Sequence, residues 1–157
     1  MSMLTEFRLI PIARLDELER RADPSREDGE FYSFLERNSE ELTEYNGSGY
    51  IYSALLEYLI EQEIDLEESE YDELAVKLSQ SKYAFCTILT VAHKREYLDK
   101  LSPANFDAEE LGEYYNEFNG TTDDAEEAGA DMSEALRVLH ANLQRADSES
   151  VVLLLGV

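Results

Sequence analysis

His93, His140 and Cys86 are the side chains most able to do chemistry in this chain, being its two histidines and its single cysteine. Zinc needs several His, Cys or carboxylate ligands at short spacings, and neither histidine has a second His or Cys at such a spacing. A Cys86–His93 dyad would span about two turns of a helix, beyond the hydrogen bond that activates a thiol nucleophile. Cys86 lies inside the apolar run 83–92, YAFCTILTVA, where burial raises a thiol pKa and makes the group inert. The serine elbow Gly-x-Ser-x-Gly does not occur. The run Asp65, Glu67, Glu68, Glu70, Asp72, Glu73 supplies the oxygens of a calcium loop but has no mid-loop glycine for the sharp turn. Gly47-Ser48-Gly49 matches neither the dinucleotide fingerprint nor the P-loop, and no Lys follows it. No catalytic, cofactor or metal residue is therefore assigned, and carboxylates are too numerous for any pair to stand out.

What remains is acid together with tyrosine. The chain carries 36 acidic against 13 basic residues, a net charge of −23, and ten tyrosines. Such a surface repels phosphate backbones and anionic membranes, so direct nucleic-acid and membrane binding are disfavoured. A basic protein is the partner it suits, because complementary charge speeds association and filters partners. The candidate binding surface is Tyr45, Tyr50 and Tyr52 near the glycine turn, with Tyr114, Tyr115, Asp123, Asp124, Glu126 and Glu127 further on. The leading reading is a non-enzymatic protein-binding module. The alternatives are a DNA mimic or immunity-type inhibitor of a basic partner, and a small carboxylate-dependent hydrolase. High-salt adaptation is a competing reason for the acidity, since lysine occurs only at Lys77, Lys82, Lys94 and Lys100.

The elements that must position these residues follow from periodicity. A hydrophobic share of 43% over 157 residues supports one core and a single domain, 1–157, without disulfides. A strand is expected over Leu4–Ile10 and ends at Pro11, and helices are expected over 12–22 and Glu30–Thr43. The Asp23–Gly29 segment reads as a loop. A core helix is expected from Tyr50 to Glu63, and a shorter one from Ser69 to Leu78. The apolar run 83–92 is ambiguous between strand and helix. Thr87, Ile88, Thr90 and Val91 favour strand, while the unbroken passage into HKREYLDKL favours a helix over Lys82–Leu101, which is the expectation adopted. Asp107 is placed as an N-cap before a helix to Asn119, 119–129 as a surface loop with room for partial helix, and Met132–Arg145 as the last helix. Ser150–Val157 is apolar on both faces, which suits a strand in the middle of a small sheet paired with the N-terminal strand.

The opening Met3-Leu4, Phe7, Arg8, Leu15 and Leu18, with the closing Met132, Leu136, Leu139, Ala146 and Val151-Val152-Leu153, resembles the YfbM-like family of small bacterial proteins. The family's W-x-x-L-H-x-L-L segment is represented only by Tyr52, Leu55, Tyr58 and Leu59. The resemblance implies an α+β fold and no known activity. The fold expected is thus α+β, predominantly helical, with a small sheet including paired N- and C-terminal strands packed against five to seven helices. With no basic leader and no apolar run near the ~20 residues that span a bilayer, a soluble cytoplasmic protein is expected.

Overall fold

The computed structural model describes residues 3–22, 30–81, 85–122 and 124–156. Among them are four strands, β1 (Thr5–Pro11), β2 (Glu40–Glu41), β3 (Phe85–Leu89) and β4 (Ser150–Gly156), in one antiparallel sheet of order β2-β1-β4-β3. β4 lies in the interior, with Thr5 opposite Gly156 and Pro11 opposite Ser150 on one side, and Phe85 opposite Gly156 on the other. Its residues 151–155 are at most 1% exposed. Each such aliphatic side chain contributes roughly 1.5–3 kcal/mol relative to an exposed one.

Because side chains alternate along a strand, β4 feeds two cores. Val152 and Leu154, with Phe7 and Leu89, pack against α3 (Ile51–Glu61), α6 (Ala108–Asn119) and α7 (Ala125–Leu143). Val151, Leu153 and Leu155, with Ile10 and Ile88, pack against α1 (Leu15–Arg21), α2 (Glu30–Asn38) and α4 (Asp72–Ser81). A seventh helix, α5 (Val91–Tyr97), follows β3 directly. The α+β architecture and the pairing of the terminal strands are as expected, and no helix among the described residues is long and apolar enough to cross a membrane.

Three expectations need correction. The run 83–92 is not one helix to Leu101: β3 ends at Leu89, and Thr90 then caps α5, its Oγ1 accepting from the His93 backbone N–H while His93 Nδ1 accepts from the Thr90 N–H at 3.0 Å. Residues 82–84 lie outside the described residues, as does the expected loop 23–29. Second, α2 stops at Asn38 rather than Thr43. Asn38 Nδ2 and Ser39 Oγ donate back to the Phe34 and Leu35 carbonyls, ending the helix, and Glu40–Glu41 then pair with β1. A two-residue acidic edge strand discourages edge-to-edge association.

Third, the last helix begins at Ala125 rather than Met132, so residues 125–129 of the expected 119–129 loop are helical. Its small residues serve a contact. A Cβ on Gly112 would lie 1.9 Å from the Ala125 carbonyl oxygen, and one on Gly129 would lie 2.1 Å from that of Ala108. The α6–α7 crossing is therefore backbone against backbone. Gly129→Ala is expected to destabilise the fold by ~1–3 kcal/mol through overpacking, even though Ala is the better helix former. Urea unfolding checks this, and a neutral or stabilising result would mean the helices do not touch there.

Candidate functional site

Burial divides the expected binding surface. Tyr52 is fully buried, its hydroxyl donating to the Ala135 carbonyl at 2.9 Å and its ring set edge-on to Phe7 and Tyr45. Tyr45 is also buried, and its ring lies where a Cβ on Gly47 would have to sit. Both are core residues, and their inclusion in a binding surface is corrected here: an aromatic layer under the glycine turn needs them inside. Tyr50 is exposed at the start of α3. Asp124 is the N-cap of α7, accepting from the Glu126 N–H, and Glu126 and Glu127 are exposed in its first turn. Asp123 lies outside the described residues.

Tyr114 and Tyr115 point different ways. Tyr115 lies on the side of Tyr45, Asp131 and Glu134. Tyr114 instead meets Tyr58 edge-on at 5.1 Å and stacks on Phe118 at 6.2 Å, while Tyr58 also meets Phe106. Phe118 is 44% exposed, so this aromatic row runs from the core out to solvent. Carboxylates surround it. Tyr58 is pushed up to about 12 by burial and by Glu110, Asp107 and Glu61, and Tyr114 to about 12 by burial and by Glu61, Glu57 and Glu117. α3 contributes Glu57 and Glu61, α6 contributes Glu109, Glu110, Glu113 and Glu117, and neither helix carries a Lys or Arg. Asp107 starts α6 as expected, accepting from the Glu109 N–H at 2.9 Å.

Beside this face a pocket of about 270 Å³ is lined by Leu56, Glu57, Glu67, Phe118 and the run Phe85, Cys86, Thr87. Consecutive strand residues alternate between faces, so a pocket touching three in a row lies along the strand's edge, on the side of β3 away from β4. Glu67 is raised by burial, by Glu57 and by Asp65. No cation lines the pocket among the described residues. Cys86 at its base is held at about 12 by burial, so it is not a nucleophile at neutral pH.

The histidines hold structure. His93 is buried between the Thr90 cap and the acidic segment, its Nε2 at 2.8 Å from the Glu68 carbonyl. With Nδ1 accepting from Thr90 N–H, the Nε2 proton is the one donated. His140 packs near Gln144 on α7. Lys94 donates to the Gln144 and Ala146 carbonyls, closing the end of α7. No group of His, Cys, Asp and Glu among the described residues could hold a metal ion.

Compared with known proteins, the chain matches no protein-family model, no curated protein and no solved structure. The site must therefore be read from its own chemistry.

The raised tyrosines give a pH dependence whose sign is definite. Between the ordinary value of 10 and about 12, the folded protein retains protons at Tyr58 and Tyr114 that the unfolded chain has released. Stability is therefore present below 10 and is lost as pH rises through that window. Buried Tyr45, Tyr52 and Cys86 are raised as well, so urea unfolding at stepped alkaline pH is expected to show the fall and Tyr58→Phe with Tyr114→Phe to make it shallower without abolishing it; an equally steep fall in the double variant would contradict the assignment.

Proposed function

We propose that this protein is a non-enzymatic binding module that engages a basic segment of another protein through the α3–α6 face. The observation that carries the reading is the solvent-reaching row Tyr58, Tyr114, Phe118, set among Glu57, Glu61, Glu110 and Glu117 on two helices that have no cation. Aromatic anchors bring apolar area at low entropy cost, and the surrounding carboxylates favour an Arg- or Lys-bearing partner. Guanidinium groups also stack on aromatic rings, so Phe118 at the mouth of the pocket suits an arginine whose fork meets Glu57 and Glu67. The YfbM-like resemblance, itself a proposal, implies a compatible fold and adds no activity.

The test is a binding titration with an arginine-rich peptide of nine residues or so, at low and high salt. Wild-type protein is expected to bind with affinity that falls steeply with salt. Phe118→Ala with Glu57→Gln and Glu61→Gln is expected to weaken binding at least about tenfold, since charge-assisted contacts are worth ~1.5–3 kcal/mol each. Glu126→Gln with Glu127→Gln, on the first turn of α7, serves as the charge-matched control. If the control loses as much, the peptide is reading net charge and not this face.

A further inference from the structure

The described cations of this acidic protein are nearly all consumed. Arg8 pairs with Glu6, Arg20 and Arg21 with Glu17, Lys77 with Glu19, Arg137 with Glu134 and Arg145 with Glu40. Lys94 is bound to backbone carbonyls, and Lys100 lies over the Tyr97 ring. Arg14, Arg37 and Arg95 have no carboxylate partner among the described residues, although acids outnumber bases 36 to 13. Arg14 and Arg37 line one cleft of about 390 Å³ at the corner of the sheet where β1 ends and β4 begins, and Arg95 lines a different one.

The surroundings of that cleft favour an anion. Its one carboxylate among the described residues, Glu40, is paired with Arg145 at 2.9 Å. The terminal carbonyls of α2 would repel an anion, but those of Phe34 and Leu35 are occupied by Asn38 Nδ2 and Ser39 Oγ. Arg37 Nε donates to the Ser33 carbonyl at 3.2 Å, which steadies the guanidinium and leaves its terminal N–H groups free. Ser150, also lining the cleft, uses its backbone N–H on Asp147, while its hydroxyl has no hydrogen-bond partner among the described residues. Donors thus come from three separate elements: the single-turn 3-10 helix Ile12–Arg14, α2 and the first residue of β4. Donors spread in this way suit a tetrahedral oxyanion better than a planar carboxylate, which one Arg fork would satisfy.

From this we infer that the Arg14–Arg37 cleft binds a phosphate group, free or carried as a monoester. It is a second site, opposite in sign to the α3–α6 face and independent of it. A phosphate dianion there accepts a charge-assisted contact from each guanidinium.

The experiment is an NMR titration of the full chain with inorganic phosphate and, separately, phenyl phosphate, against sodium chloride of matched ionic strength. Saturable shifts are expected at the Arg14 and Arg37 side-chain Nε–H signals and at the Ser150 amide, in both phosphate arms and not with chloride. Tighter binding of phenyl phosphate would identify the monoester as the preferred source, and equal binding the free ion. Arg14→Gln with Arg37→Gln is expected to weaken binding by at least about tenfold, and Ser150→Ala by less. Arg95→Gln, which removes an unpaired cation lining a different cleft, is expected to leave binding unchanged. Non-saturating shifts, shifts reproduced by chloride, or equal loss in the Arg95 variant would overturn the inference. Circular dichroism on each variant separates lost binding from lost fold.

Discussion

β4 presents Val152 and Leu154 to one helical layer and Val151, Leu153 and Leu155 to the other, so neither face of the sheet can be left to water. The three-layer arrangement follows from that constraint. β1 and β3 must flank β4 to satisfy its backbone, and three helices must cover each side. A chain of −23 can meet this demand only by sending its carboxylates outward. The helices are consequently amphipathic, and the charge that cannot enter the core lies on their outer faces.

That surface is not an even coat. On α1, Arg20 and Arg21 offset Glu17, and Lys77 reaches from α4 to Glu19. Among the described residues α3 and α6 have no such compensation, and the aromatic row reaches solvent between their carboxylates. Concentrated, uncompensated acid beside exposed aromatic area costs repulsion in the free protein, a cost a cationic partner relieves. Two of the arginines without a carboxylate partner among the described residues, Arg14 and Arg37, lie elsewhere, at the β1–β4 corner.

The sequence carries some of this plainly. Continuous apolarity over 151–155 marks an interior strand because an edge or one-sided strand would alternate, and β4 is interior. The α3 stripe of Ile51, Leu55, Tyr58 and Leu59 is core as its spacing says. Other features were hidden for physical reasons. The boundary between β3 and α5 is made by Thr90, a cap recognisable only once its hydroxyl meets the His93 N–H, and no Gly or Pro marks it. The first turns of α7 read as a loop because Ala128, Gly129 and Ala130 have little apolar weight; their smallness is explained by α6, which lies across Gly129. β2 is two glutamates, too short for any period. Tyr45 looked like a surface tyrosine because only its packing on Tyr52, across the glycine turn, reveals that it is inside. Within the site, Tyr114 was legible as a tyrosine near acid, whereas Phe118, Glu57 and Glu61 join it only through the packing of α6 on α3.

The central claim is that recognition is confined to one face. Mapping the contact surface of an oligo-arginine peptide by amide chemical shifts, at low salt on the intact protein, tests it directly. The account predicts amide perturbations clustered on 53–61 and 107–118, with that of Phe118 the largest. Perturbations spread equally over α1, α4 and the start of α7 would contradict it, and would make the acidity a property of the whole surface.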